Sequence, residues 1–278
     1  MLTEVFHSVV PSELLHPITQ DTDTAALLPS ITSQTTSISR ISDIPLRRQV
    51  GFLHVLEQVI TDLRTKIVRY IPLLLHVVLS LLKNVMALEG SDAVADAEVE
   101  VEEQDGEAED EVTATAAPRR IREVRMLCLR RFGAFLDAYA VQHPTELDLT
   151  SFIERFYTIT SPSIPLLSQR SVQAVSPLMR VFVIMSRHIQ LVPFLAESIV
   201  IPSVLHCLSA QSVSASVAMT VLAVVENLLN FRETEPDLIQ PILKPHISQL
   251  LAELESSLSS SSSSLTYVIL LFICVCVI

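Results

Sequence analysis

Between Arg69 and Lys83 the chain runs through thirteen uncharged residues, YIPLLLHVVLSLL. As a helix this stretch is ~20 Å long at about 1.5 Å per residue. A bilayer core takes about 30 Å, or around 20 apolar residues. The run falls short, and Pro72, His76 and Ser80 interrupt it. It reads as a buried helix, apolar almost all round, which neighbours must cover on more than one side.

What surrounds it narrows the choice. Leu46, Val50, Leu53, Leu56, Val59, Ile60 and Leu63 recur at three- and four-residue steps, the stripe of a one-sided amphipathic helix. Pro45 sits where a first helical turn tolerates a missing N–H. The buried helix follows, with Pro72 in its first turn and Gly90 as its expected stop. Two helices with a short connection form a hairpin. One hairpin cannot cover a helix that is apolar on all sides, but stacked hairpins can. Only four glycines occur, at 51, 90, 106 and 133. Tight β-hairpins and phosphate-cradling loops both rely on glycine, so helices are favoured and a nucleotide-binding α/β fold is not.

The formal charge of −12 is local. Residues 89–111 hold twelve acids and no Lys or Arg, and the other 19 acids balance the 19 basic residues. Like-charge repulsion and the scarcity of large apolar side chains predict a disordered insertion over 89–117. Helical periodicity resumes over 118–139, where Ile121, Val124, Cys128, Phe132, Phe135 and Tyr139 share a stripe. Further helical pieces span 151–195, cut by Pro162, Pro165, Pro177 and Pro193. Residues 198–230 predict another hairpin, a short helix after Pro202 and a longer one bearing Val217, Val221, Val224 and Leu228. Ile71-Pro72-x-x-Leu75-His76 is echoed by Ile201-Pro202-x-x-Leu205-His206. A proline opening the first helix of a pair, with arginines early in the second as at Arg122 and Arg125, is the pattern of HEAT-type repeats of ~40–47 residues.

The expected organisation has five parts: a mostly disordered segment 1–43, a hairpin 44–88, the acidic loop 89–117, a helical-repeat segment 118–255, and a Ser-rich linker with an apolar tail over 256–278. The fold class is all-α, an α-solenoid of HEAT/armadillo-like hairpins with a disordered acidic insertion. The tail TYVILLFICVCVI is short for a membrane span. It reads as a truncated or mis-joined reading frame, with a tail anchor as the alternative. The N-terminus MLTEVFHSVV lacks the basic and sustained apolar regions of a signal peptide. Cys128 and Cys207 fall in apolar helical patterns, as reduced thiols of an intracellular protein do.

No Gly-rich phosphate loop, H-E-x-x-H, G-x-S-x-G or paired-cysteine metal motif is present. His54, His76, His188 and His206 occur singly within helical segments and read as core or half-buried residues; Asp137 and Asp148 read as surface or capping residues. No catalytic, metal or cofactor site is expected, nor a small-molecule substrate. The suggestive charged feature is Arg119, Arg120, Arg122, Arg125, Arg130 and Arg131. Arginine forks bind phosphate, so the run is a candidate RNA-backbone contact. The other reading is a solvated helix face paired with Glu123 or the acidic loop. No aromatic platform for single-stranded bases accompanies it.

Residues 44–82, IPLRRQVGFLHVLEQVITDLRTKIVRYIPLLLHVVLSLL, resemble a signature segment of the down-regulated-in-metastasis family. Arg48, Gln49, Gly51, Phe52, Leu53, Leu56, Glu57, Tyr70, Pro72 and Leu75 carry the likeness. IREVRMLCLRRFGAFLDAY, SPSIPLLSQRSVQAVSPLMRVFVIMS and VVENLLN resemble later segments, so the similarity extends over 44–230. Two features depart from the family's pattern: there is no tryptophan near Met185-Ser186, and Pro162-Ser163 stands in place of a Pro-Arg pair. The resemblance implies a non-enzymatic helical-repeat scaffold of the small-subunit processome, associated with U3 small nucleolar RNA. It would act in nucleus and nucleolus in ribosome biogenesis and rRNA processing, with processome proteins and pre-ribosomal RNA as partners. It also implies a chain much shorter than its relatives, with uncapped repeat ends. A generic HEAT-type adaptor in nuclear transport or trafficking is the alternative, and a membrane role stands only if 265–278 is an anchor.

Overall fold

The computed structural model describes residues 44–63, 71–95, 116–142, 149–170, 174–208 and 213–252. The expectations for 1–43, for most of the acidic insertion and for the Ser-rich linker and apolar tail lie outside them. All regular structure among the described residues is helical, with no strand, in agreement with the all-α reading. The chain divides into two compact units, one of Met1–Ala138 with Leu149–Ile159 and one of Tyr139–Asp148 with Thr160–Ile278.

The first unit is built from α1 (Leu46–Leu63), α2 (Ile71–Ala95), most of α3 (Ala116–Gln142) and most of α4 (Thr150–Thr160). Pro45 stands one residue before α1 and accepts from the N–H groups of Arg48 and Gln49 through its carbonyl. It therefore caps the helix from outside, whereas the sequence placed it within the first turn. Gln49 is buried, and its Nε2 donates to the Ile44 carbonyl at 2.8 Å. α1 is one-sided as expected, but its buried face is Gln49, Phe52, Leu53 and Leu56; Leu46, Val50, Val59 and Ile60 of the expected stripe are half-buried, and His54, Val55, Glu57 and Gln58 face out.

α2 is the thickly apolar helix. Ile71, Leu73, Leu74, Leu75 and every residue from Val77 to Leu82 are buried, as is Val85. It does not stop at Gly90 but continues to Ala95. A glycine inside a helix costs about 1 kcal/mol, which is not enough to end a helix anchored by neighbouring packing. Among the described residues, 71–89 is the one helical stretch long and apolar enough to cross a membrane. Protein supplies its cover here: Arg125 of α3 reaches Glu89, and Arg155 of α4 reaches His76 and Ser80. Phe132 of α3 stacks on Phe156 of α4 with ring centroids 4.3 Å apart and planes 8° apart. The stack contributes ~1 kcal/mol beyond area burial. Moving along α3 from Arg125 to Phe132 thus moves back along α2 from Glu89 towards Ser80, so α2 and α3 run antiparallel.

The second unit contains α5 (Leu167–Arg170), α6 (Pro177–Arg187), a 3₁₀ turn at Val192–Ala196, α7 (Val200–His206), α8 (Ala215–Asn230), α9 (Pro236–Leu243) and a 3₁₀ turn at Lys244–His246. Its two chief helices start alike. Ser176 caps α6 by accepting from the Met179 N–H, and Ser214 caps α8 by accepting from the Val217 N–H. Pro177 occupies the first turn of α6, where no N–H is needed. α6 packs on α8, burying Leu178, Met179, Val181, Phe182 and Met185 from one side and Val217, Val221, Val224 and Leu228 from the other. Each such side chain contributes ~1.5–3 kcal/mol. Ser186, fully buried, accepts from Asn227 Nδ2 at 2.9 Å and donates to the Val183 carbonyl at 2.8 Å. Met185 beside it is also buried, and Asn227 of VVENLLN satisfies Ser186.

The two copies of the I-P-x-x-L-H echo occupy equivalent local environments. Ile71 and Leu75 are buried, as are Ile201 and Leu205, and each proline lies in the first turns of its helix. The histidines differ: His76 is half-buried and His206 exposed.

Candidate functional site

α3 carries the six arginines singled out in the sequence, and the fold divides them. The apolar residues Ile121, Val124, Cys128, Phe132 and Phe135 turn one face of α3 inward. Arg119, Arg122 and Arg130 project from the opposite face, with Met126 between Arg122 and Arg130, and all four are exposed. Arg120 is exposed in the first turn. None of these four guanidiniums meets a carboxylate among the described residues. They form a cationic strip along a rigid rod, with spacing set by the helix.

Arg125 and Arg131 sit at the two edges of the buried face and are engaged within the unit. Arg125 Nη1 donates to Glu89 Oε2 at 2.6 Å, with both side chains about four-fifths covered. Glu89 opens the acidic run in the sequence, but it lies within α2 and not in a loop. Arg131 is 5% exposed. Its Nε donates to the Leu53 carbonyl at 3.0 Å and its Nη2 to the Glu57 carboxylate. The Arg131 hydrogen bond holds the Glu57 carboxyl below the usual carboxylate range against the opposing effect of burial, and the charges of Arg131, His54 and Arg130 assist. These two arginines clasp α1 and α2 onto α3, whereas Arg119, Arg120, Arg122 and Arg130 are exposed.

The remaining chemistry-bearing groups do not converge. Cys128 and Cys207 are buried thiols outside any disulfide, and burial pushes the Cys128 thiol far above its ordinary value. A thiol held neutral is a poor nucleophile and metal ligand. Among the described residues no three His, Cys, Asp or Glu side chains cluster to hold a metal ion. His54 and His206 are exposed, contrary to their reading as core or half-buried residues, while His188 is half-buried at the C-cap of α6. Both exposed histidines lie off the apolar stripe of their helices, which a fuller helical projection would have caught. Asp137 is exposed, and Asp148 lies outside the described residues. A groove of about 390 Å³ in the second unit is walled largely by Leu205, Val225, Leu229, Ile239, Leu243 and Leu250, with no carboxylate in its lining.

One arrangement escaped the sequence. Arg155, on α4, is half-buried against α2, with Nη1 3.1 Å from His76 Nδ1 and Nη2 donating to Ser80 Oγ at 2.7 Å. A lone arginine in SFIERFYTIT carries no pattern. The available signal was on the other helix, where His76 and Ser80 stand four residues apart as a polar notch in an otherwise apolar run.

A family model described as U3 small nucleolar RNA-associated protein 20, N-terminal, matches residues 12–273 and so takes in every described residue. No curated protein sequence matches the chain.

Proposed function

The chain belongs to the U3 small nucleolar RNA-associated protein 20, N-terminal, family, and from that premise we propose that it is a non-enzymatic helical scaffold of small-ribosomal-subunit assembly. The family ties it to the small-subunit processome and ribosome biogenesis. In the proposed role it works in the nucleolus, presenting stacked HEAT- or armadillo-like helical layers to processome proteins and pre-ribosomal RNA. The observation that carries this reading is the extent of the match over 12–273. Helices throughout the described residues support it, as does the absence from the sequence of catalytic motifs. Co-sedimentation of the tagged chain with pre-ribosomal particles tests the role. Absence from those particles, with normal pre-rRNA cleavage after depletion, overturns it.

Within this role the exposed strip of Arg119, Arg120, Arg122 and Arg130 is the phosphate contact, and Arg125 and Arg131 are removed from it. Each phosphate neutralised on single-stranded nucleic acid contributes about 0.7 to the slope of log affinity against log salt. Replacing all four exposed arginines with alanine is expected to lower that slope by up to ~3 and to weaken binding to pre-rRNA fragments uniformly across sequences. Replacement of Arg125 alone should leave the slope unchanged. An unaltered slope in the fourfold variant removes RNA contact from this face.

A further inference from the structure

Arg125, Arg131 and Arg155 each bridge helices of the first unit, and their partners differ in kind. Arg125 meets Glu89 and Arg131 meets Glu57. Among the described residues Arg155 meets the His76 ring and the Ser80 hydroxyl and no carboxylate. A guanidinium cannot accept a hydrogen bond, so in this contact Arg155 Nη1 is the donor and His76 Nδ1 the acceptor. Ser80 Oγ donates to the His76 carbonyl at 2.8 Å, which directs its lone pairs towards Arg155. Among the described residues no carboxylate lies within ion-pair distance of Arg155.

Such an arrangement is unusual on energetic grounds. Covering a charge is costly unless an opposite charge or several hydrogen bonds compensate. Burial lowers the pKa of Arg155, yet a guanidinium stays charged near neutral pH. Of its five N–H donors, two are taken by His76 and Ser80. These two acceptors fix the plane of the fork and leave further donors at a partly exposed position. That is a preorganised half of a bidentate ion pair.

We propose that Arg155, held in place by Ser80 and His76, is a receptor for a single carboxylate, an Asp or Glu side chain presented by a protein partner. A protein carboxylate fits better than an RNA phosphate for two reasons. Backbone phosphates are met by series of exposed cations, and α3 carries such a series, whereas Arg155 is one half-buried fork beside the exposed Glu154. Half-buried arginines with fixed geometry are also the residues that anchor protein interfaces. The inference rests on the geometry of α2 and α4 and not on the arginine strip of α3.

Side-chain ¹⁵N NMR of the full chain tests it, with acetate and dimethyl phosphate as probes at constant ionic strength. Both are monoanions, so charge alone does not separate them. Acetate is expected to shift the Arg155 Nε–H resonance saturably, with an apparent Kd of about 10–100 mM. Dimethyl phosphate should bind at least several-fold more weakly. Arg155→Gln, verified as helical by circular dichroism, assigns the resonance and should abolish the saturable response, but the wild-type titrations decide the matter without it. Equal or tighter binding of dimethyl phosphate overturns the proposal in favour of a nucleic-acid backbone. No saturable response to either probe overturns it in favour of an interhelical clamp and nothing more.

Discussion

The two compact units hold their helices together by different chemistry. In the first, arginines cross between helices: Arg131 to α1, Arg125 and Arg155 to α2. In the second, Arg180, Arg187 and Arg232 are exposed, and the α6–α8 contact is apolar except for Ser186 and Asn227. Both units bury many aliphatic side chains, and among the described residues the first also buries Phe52, Phe132, Phe135 and Phe156 completely where the second buries Phe182. What differs is the polar inventory at the helix seams, charged in one and neutral in the other. A neutral seam is indifferent to pH and salt. A charged seam is sensitive to both, but specifies which helix faces which, because a misplaced guanidinium would be left without a partner.

The largest expected effect should be common to both units and so tests whether their cores are equivalent. Phe132 and Phe182 are each fully buried. Truncation of either to alanine should cost about 3–5 kcal/mol, read by hydrogen exchange of α3 and α6 respectively. Phe132→Ala also loses the stack on Phe156, so it should fall at the upper end. A cost for Phe132 below that for Phe182 would show that the Phe132–Phe156 stack adds nothing to the contact of α3 with α4.

The next effect is confined to the charged seam and is asymmetric. Arg131 is almost wholly buried, whereas its partner Glu57 is more than half exposed. Arg131→Met removes a covered charge and leaves Glu57 free to turn to water, at a cost of about 1 kcal/mol. Glu57→Ala leaves a covered guanidinium with the Leu53 carbonyl as its remaining acceptor. That should cost about 2 kcal/mol, less than a fully buried pair because the Glu57 side is solvated. Urea unfolding monitored at α1 gives both numbers. A larger loss for Arg131→Met than for Glu57→Ala would contradict this account of the seam.

How much of this was legible follows from which signals are local. Helix identity was, because α1, α3 and α8 announce themselves by three- and four-residue apolar spacing. The ends were less so. Gly90 is a helix breaker by propensity, yet α2 runs through it to Ala95, since packing of the preceding five turns outweighs one unfavourable residue. The arginine run was grouped by proximity along the chain, but a helix sorts residues by angle. Arg131 stands seven residues past Val124 and falls on the same inward side, while Arg119, Arg122 and Arg130 rotate outward. That division was present in the sequence and needed only the helical projection. Arg155 was not readable in this way, because its significance depends on His76 and Ser80, 79 and 75 positions away.

The smallest effect is the one that separates the seams most cleanly. Glu57 has a folded pKa below its ordinary value, chiefly through the Arg131 hydrogen bond. The stability it adds is complete above the unfolded carboxylate pKa of about 4.3, and it is lost as pH falls through the lower, folded value. The first unit should therefore weaken in acid below about pH 4.3, with slowed exchange in α1 and α3 giving way first. The Ser186–Asn227 seam of the second unit carries no titrating group, so α6 and α8 should change less over the same range. Glu57→Gln should flatten the acid limb of α1 while leaving α6 unaffected. The change is small because Glu57 is exposed, and salt should reduce it further. An acid limb in α1 that survives Glu57→Gln would move the pH dependence away from this clasp to other carboxylates of the first unit.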